Sequence, residues 1–266
     1  MAAKRKRKAR RPSAPRGRGS AASRGKTAGG SAGTGSRAEG DERSGNGAEW
    51  TRTIFYAAVL FLVMRVFLVQ TFVITSGSME NTLLVGDFLV VNKAAIGSRV
   101  PFTDIRIPGY SEPRRGDVLV FDPHHEDDMT LVKRLVGVPG DTLQMRDRVL
   151  YRNGQPQEEP YVVTSGRPDE FAPSMLWQLN HLVEASGGDY HPTRDNWGPL
   201  LVPDGYYFML GDNRDSSLDS RYWGLLEGWR FEGRASRIYF SYNRDSTRPF
   251  PWIREIRGSR IGDGIQ

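Results

Sequence analysis

The 266-residue chain contains no cysteine and only four histidines. The absence of cysteine excludes disulfide bonds, thiol nucleophiles and cysteine-ligated zinc sites together. A folded domain made from this chain must therefore be stabilised by its hydrophobic core and not by cross-links.

Core-forming side chains are missing from the first 49 residues, where no Val, Ile, Leu, Phe, Trp or Tyr occurs after Met1. Gly, Ser, Ala and Arg dominate this stretch, a composition that predicts disorder. It carries 13 basic and 4 acidic side chains, a net charge of +9, whereas residues 50–266 carry a net charge of −3. All of the excess positive charge of the chain, +6 overall, therefore lies in this tail.

The basic run at 4–11 could neutralise the phosphates of a nucleic acid. No aromatic stacking residue accompanies it, however, and a basic segment is also what the cytoplasmic flank of a membrane span carries. The membrane interpretation is favoured, and we expect no nucleic-acid partner.

Long hydrophobic runs are scarce, and the candidate span covers residues 50–70. Its uninterrupted apolar part, 54–64, ends at Arg65, and crossing a bilayer takes ~20 apolar residues. Arg65 is compatible with a span if it lies near the outer interface and reaches the headgroups. A cleavable export signal is the alternative, but the basic leader is long for one and no A-x-A site follows.

We therefore predict a single-pass protein of the cell membrane, in contact with membrane lipid. Residues 1–49 would form a cytoplasmic tail, 50–70 an uncleaved transmembrane anchor, and 71–266 an extracytoplasmic domain. The positive charge before the anchor sets this orientation.

Beyond the anchor, short apolar or alternating runs are separated by Gly, Pro, Asn and Asp. The runs that predict strands are 88–91, 118–121, 131–138, 149–152, 206–210 and 235–242. Asn153-Gly154 predicts a tight turn, and the best helical periodicity lies at 174–185. The pattern predicts a mainly β domain with a smaller inserted region at about 155–200.

Ser76-Gly77-Ser78-Met79 directly follows the apolar segment and makes Ser78 a candidate nucleophile at the membrane surface. A serine needs a base to take its proton. Lys133 is the candidate base, because aliphatic neighbours at 131–136 would bury it and lower its pKa from ~10.4. For a lone strand lysine, a solvent-facing position is the simpler alternative.

His124 and His125 offer a rival chemistry, as a metal site or as part of a Ser-His-Asp triad. Adjacent side chains on an extended chain point to opposite sides, so these two converge poorly on one ion. The surrounding acidic segment lacks the HExxH spacing. A solvated loop is favoured, and we expect no metal and no cofactor.

The blocks at 76–79, 115–117, 133–141 and 211–224 follow one another as in the bacterial type I signal peptidases. The chain resembles this family over about 72–241. The resemblance implies a serine–lysine endopeptidase with an antiparallel β catalytic domain, which removes signal peptides from exported pre-proteins after small residues. It implies that Ser78 is the nucleophile and Lys133 the general base.

The resemblance also implies roles for residues around this pair. Ser76 would form the oxyanion hole together with the main-chain N–H of Ser78. Ser217 would orient the lysine amine, and Asp219 and Arg221 would support it as a polar pair. The positions that match the walls of the family's shallow apolar substrate pockets are Phe72, Ile74, Leu83 and Val132.

One departure lies close to the candidate nucleophile, where Thr75 stands at a position that is usually proline in the family. Two other functions remain open on the sequence: a soluble SOS-repressor-type serine–lysine autoprotease, and a non-catalytic membrane-tethered β domain. The apolar segment and the lack of a helical DNA-binding domain argue against the first. The complete set of catalytic positions argues against the second.

Overall fold

A computed structural model describes residues 43–99, 103, 105–124, 129–183 and 190–266. Most of the predicted disordered tail lies outside the described residues, as does His125. The α-helices of the described part are α1 (Arg43–Phe67), α2 (Lys93–Ile96), α3 (Ser220–Trp223) and α4 (Pro251–Arg254). The 3₁₀ segments are Gly77–Met79, Pro173–His181, Arg214–Ser216, Gly228–Arg230 and Gly258–Arg260.

The strands account for most of the regular structure. In chain order they are β1 (Val69–Val73), β2 (Asp87–Asn92), β3 (Gly97–Arg99), β4 (Arg106–Pro108), β5 (Val118–Phe121), β6 (Leu131–Gly137), β7 (Thr142–Arg146), β8 (Val149–Arg152), β9 (Gln155–Pro156), β10 (Trp197–Leu201), β11 (Tyr206–Leu210), β12 (Leu226–Glu227) and β13 (Phe231–Ser241). Each of the six predicted strands has a counterpart here, and the prediction of a mainly antiparallel β fold is confirmed.

The stretch Glu49–Phe67 of α1 has the length and the apolar composition needed to cross a membrane. Its large apolar side chains are exposed, and Arg65 lies in the last turn, where a cation is favourable beside unpaired carbonyls. The helix ends at Phe67 and β1 begins at Val69, so the end of the predicted anchor is extended chain.

Seven strands form the main sheet, in the order β1-β2-β13-β5-β6-β11-β12. The 11-residue β13 pairs with β2 along one edge and with β5 along the other. This order places β1 at one edge of the sheet and the first half of β6 beside β5 alone. Ile74, Met79 and Leu83 pack with apolar residues of β2, β5 and β13 into one hydrophobic cluster.

A second sheet has the order β10-β7-β8-β9. Asn153 and Gly154 both have positive φ, 52° and 77°, as the predicted tight turn after β8 requires. The region at 155–200 contributes β9, β10 and the 3₁₀ segment Pro173–His181 to this part of the molecule.

The periodicity at 174–185 gives a 3₁₀ helix and not an α-helix over its first part, and residues 184–185 lie outside the described ranges. Met175 and Gln178 are its buried side chains. Residues three apart eclipse one another in a 3₁₀ helix, so this spacing suits the tighter form.

Candidate active site

Ser78 lies in the short 3₁₀ turn Gly77–Met79, which follows the extended residue Ser76. Met79 is almost fully buried, and its carbonyl accepts a hydrogen bond of 2.7 Å from the N–H of Leu83. Two buried apolar side chains therefore fix the turn to the core. Ser78 itself is 8% exposed, so its hydroxyl is positioned by the fold and remains at the edge of a cavity.

The side chain of Lys133 reaches this hydroxyl from β6. Its Nζ donates a hydrogen bond of 2.7 Å to Ser78 Oγ, across 55 positions in the sequence. Lys133 is 3% exposed, and burial lowers its pKa from 10.5 to about 8. The charge of Arg221 adds to this effect, while Asp219 and Asp212 oppose it. A large share of the amine is thus neutral near pH 8, as a general base must be.

Ser76 lies beside Ser78, with its Oγ 3.3 Å from Ser78 Oγ. Ser78 Oγ therefore lies within hydrogen-bonding range of both the hydroxyl of Ser76 and the amine of Lys133. This arrangement can supply a nucleophile, a base and a donor for a developing negative charge.

The segment after β11 contacts the main chain of Ser78. The main-chain N–H of Asn213 donates to the carbonyl oxygen of Ser78 at 3.1 Å. Gly211 is so close that a Cβ there would lie 2.2 Å from Ser217 Oγ and 2.5 Å from that same carbonyl oxygen. A glycine at 211 is therefore a packing requirement of the site.

Ser217 is buried, and its hydroxyl makes no hydrogen bond of ordinary geometry with any described residue. It lies close enough to Asp219 to help lower the pKa of that carboxyl. The role of orienting the lysine amine stays a prediction.

Asp219 and Arg221 form a fully buried, two-pronged ion pair, with both nitrogen–oxygen distances 2.8 Å. Burial opposes ionisation of Asp219, but Arg221 and the N–H of Gly211 hold the pKa of Asp219 below its usual range. Arg221 also donates to the carbonyl of Arg214 at 2.8 Å. The pair thus holds the two ends of the 211–221 segment together.

A second buried ion pair was not anticipated from the sequence. Arg134, 1% exposed, donates two hydrogen bonds of 2.8 Å to Asp212. It donates further to Gly116 O at 2.8 Å and to Thr82 Oγ1 at 3.1 Å, and Thr82 donates to Asp212 at 2.5 Å. The network joins Thr82, which lies four residues after Ser78, to β6 and to the 211–221 segment.

The signal for this network is present in the sequence as the pair Lys133-Arg134 inside an aliphatic strand. Successive side chains of a strand point to opposite faces. If both faces are buried, the arginine needs an acid on its own face, and Asp212 in the Gly-Asp-Asn-Arg-Asp block was the available carboxylate.

A cavity of about 220 Å³ opens beside Ser78 and Lys133. Ile74 and Val132, two of the predicted substrate-contacting residues, line it together with Thr75 and Met129. Leu83 is fully buried in the adjoining hydrophobic cluster, and Phe72 packs against that cluster. The structure therefore brings two of the four predicted pocket residues to the cavity wall.

The three histidines in the described part of the chain contact other residues. His124 Nε2 is 2.8 Å from the carbonyl oxygen of Trp223, and His181 and His191 pack against Trp177 and Phe171. Within the described ranges, no group of three or more His, Asp or Glu side chains is arranged to hold a metal ion.

The chain matches the family model for signal peptidase, peptidase S26, over residues 47–240. It is 37% identical over 211 residues to the signal peptidase I of Pseudomonas aeruginosa, covering 73% of this chain and 72% of that protein. It is 36% identical over 196 residues to the signal peptidase I of Bacillus licheniformis, covering 73% of this chain and 89% of that protein.

Among solved structures, a crystal structure of a signal peptidase I from Enterococcus faecalis is similar to this chain at 31% identity. The match covers 47% of this chain and 97% of that one, with a TM-score of 0.32.

Proposed function

The chain belongs to the peptidase S26 family of signal peptidases, and we propose that it is a membrane-anchored endopeptidase that uses Ser78 and Lys133 to remove signal peptides from exported pre-proteins. The family assignment makes it a serine peptidase. The observation that carries the residue assignment is the 2.7 Å contact between a buried lysine amine and a serine hydroxyl.

The chemistry follows from this contact. In its neutral form, Lys133 Nζ accepts the proton of Ser78, whose Oγ attacks the carbonyl carbon of the scissile bond. The oxyanion of the tetrahedral intermediate is stabilised by the N–H of Ser78 and the hydroxyl of Ser76. The protonated amine then gives its proton to the departing amine of the mature protein, which leaves an acyl ester on Ser78.

The same amine completes the second half of the reaction. Lys133, neutral again, takes a proton from a water molecule that attacks the ester carbonyl. The bond between that carbon and Ser78 Oγ then breaks, the protonated amine returns its proton to Ser78 Oγ, and the signal peptide leaves with a new carboxyl terminus. No step requires a metal ion.

The walls of the cavity suit an extended peptide. On one wall, Val73 ends the edge strand β1 and residues 74–76 follow it. On the other, Leu131 to Lys133 belong to the half of β6 that pairs with β5 alone, and Met129 and Thr130 precede that strand. Open strand edges bind a peptide through main-chain hydrogen bonds, and the pockets between them select its side chains. A cavity of about 220 Å³ shared among several residues leaves room for small side chains such as alanine.

We further propose that the amino terminus lies in the cytoplasm and residues 71–266 outside it. The net charge of +9 before the apolar helix and of −3 after it supports this orientation. Protease added to intact spheroplasts should digest the domain after Ser76. Protection there, with digestion in inverted vesicles, would reverse the orientation.

The activity is tested by incubating the detergent-solubilised protein with a pre-protein that has alanine before its cleavage site. We expect one cut after that alanine, located by mass spectrometry, and no cut with Ser78→Ala. A folded wild-type protein that cleaves only itself would indicate an autoprotease, and one that cleaves nothing would overturn the proposal.

A further inference from the structure

In the main chain beside the cavity, the N–H and C=O groups of successive residues point in opposite directions. The N–H of Ile74 donates to Asp87 O at 2.8 Å, and the carbonyl of Ile74 accepts from the N–H of Gly86 at 2.9 Å. Both polar groups of Ile74 therefore point towards β2. In an extended chain the groups of the next residue point the other way, so the N–H of Thr75 faces away from β2.

Thr75 lines the cavity, is exposed, and makes no hydrogen bond with any described residue. Ser76, which follows it, is also extended, with φ −129° and ψ 155°. Because Ile74 is hydrogen-bonded to the β2 side and Ser76 is extended, we expect the alternation to continue through Thr75. An exposed edge presents a row of unpaired donors and acceptors of this kind to an incoming strand.

The opposite wall has a matching feature. Leu135 exchanges hydrogen bonds of 2.9 and 2.8 Å with Asp117 O and the N–H of Gly116, on the β5 side. By the same alternation, the main-chain groups of Val132 point away from β5. Val132 lines the cavity opposite Thr75, so a peptide between the two walls meets main-chain groups on both sides.

We infer that the main-chain N–H of Thr75 donates a hydrogen bond to a carbonyl oxygen of the substrate, one or more residues before the scissile bond. Thr75 is thus a binding residue that acts through its backbone, and the substrate must present an accepting carbonyl opposite it. This inference rests on the proposed function of the site.

Thr75→Pro tests the donor directly, because proline has no N–H. The fold does not use the N–H of Thr75, and Ile74 already has the extended conformation that a residue before proline prefers, so the variant should fold. Thr75→Val is the matched control, since it removes the hydroxyl but keeps the shape and the N–H.

One neutral hydrogen bond corresponds to about a 3- to 10-fold change in an equilibrium constant. On a short peptide substrate with alanine before the cleavage site, Thr75→Pro should lower kcat/KM by about that factor, mainly through KM. Thr75→Val keeps the N–H, so the kcat/KM of Thr75→Pro should lie below that of Thr75→Val by the same factor. Thermal melts of both variants establish that they are folded.

A series of substrates locates the acceptor. Each of the three peptide bonds before the scissile bond is replaced in turn by a trans-alkene, which keeps the shape but has no carbonyl oxygen. The wild type should lose activity at one position where Thr75→Pro shows no further loss. Val73→Pro removes the next donor along β1, and its insensitive position should be a different one.

The inference would be overturned if the loss of kcat/KM caused by Thr75→Pro added to the loss caused by the alkene at every position. Equal losses of kcat/KM in Thr75→Val and Thr75→Pro would also overturn it. If Thr75→Pro does not fold, the wild type decides: no loss at any alkene position would also overturn it. These outcomes leave cleavage by the wild type intact and are distinct from failure of the proposed function, in which the wild type cleaves no pre-protein.

Discussion

Lys133 and Arg134 are consecutive residues of β6, and both are almost fully buried, at 3% and 1% exposure. On its face, Arg134 meets Asp212 in a two-pronged ion pair. On the other face, Lys133 meets a serine hydroxyl and a partly apolar cavity. The two cations are therefore buried to a similar extent, but only Arg134 has a carboxylate in contact to balance its charge.

This difference separates a structural charge from a reactive one. A buried charge with a matched partner holds segments of chain together, and removing that partner is strongly destabilising. A buried amine without a carboxylate in contact loses its proton more readily, and the pKa of Lys133 falls to about 8 for this reason. The strand thus places support on one face and the proposed chemistry on the other.

The largest expected effect comes from making Lys133 permanently charged. Lys133→Arg cannot give up its proton at any accessible pH, so it should be as inactive as Lys133→Ala, with cleavage about a thousandfold or more below wild type. The measurement is the single-turnover cleavage rate on a pre-protein, with melts to confirm folding. Substantial activity in folded Lys133→Arg would remove lysine from the mechanism.

Changes to the Arg134–Asp212 pair on the opposite face should lower the free energy of unfolding. Asp212→Ala leaves the guanidinium of Arg134 buried without its counter-ion, which typically costs about 3–5 kcal/mol. The double change Arg134→Met with Asp212→Leu removes both charges and should recover much of that loss. Denaturant unfolding of the three proteins tests this, and an Asp212→Ala protein as stable as wild type would contradict the pairing.

The sequence alone predicts structure that depends on neighbouring residues, but not contacts between residues that are far apart in the chain. Apolar runs such as 118–121 and 149–152 give strands because local alternation and flanking turn residues are sufficient. The contact of Ser78 with Lys133, and that of Arg134 with Asp212, join residues 55 and 78 positions apart. Periodicity contains no information on such pairings, so the resemblance supplied the first contact and neither source supplied the second.

Lys133→Met should make the protein more stable near neutral pH. Below pH 8 the amine is protonated in both states, and its burial opposes folding in full. As the pH rises from about 8 towards 10.5, the folded state loses the proton first, and the opposition disappears. A depression of this size corresponds to roughly 3 kcal/mol.

The stability gain of Lys133→Met over wild type should therefore be largest at pH 7, shrink above about pH 8 and be small at pH 10.5. Lys93→Met is the matched control, because Lys93 is ion-paired with Glu232 at 2.9 Å and its removal should not stabilise. Denaturant midpoints measured at pH 7 and pH 10.5 give both differences. A destabilised Lys133→Met at pH 7 would show that the amine is compensated after all.

Gly211 lies between the Asp219–Arg221 pair and Ser78, and its substitution should show the smallest effect of the four. Its N–H donates to Asp219 at 3.1 Å, and a Cβ at this position would lie 2.2 Å from Ser217 Oγ and 2.5 Å from the carbonyl oxygen of Ser78. A methyl group at this position would overlap backbone and not only a mobile side chain, and overpacking of this kind costs about 1–3 kcal/mol.

Because the overlap includes Ser78, Gly211→Ala should also displace the nucleophile and lower kcat by more than its stability loss alone would explain. Gly258→Ala is the control, since nothing lies within 4 Å of a Cβ there, and it should change neither quantity. Melting curves and kcat on the same pre-protein separate the two effects. Reduced stability with unchanged kcat would mean that Gly211 supports the Asp219–Arg221 pair without bearing on the position of Ser78.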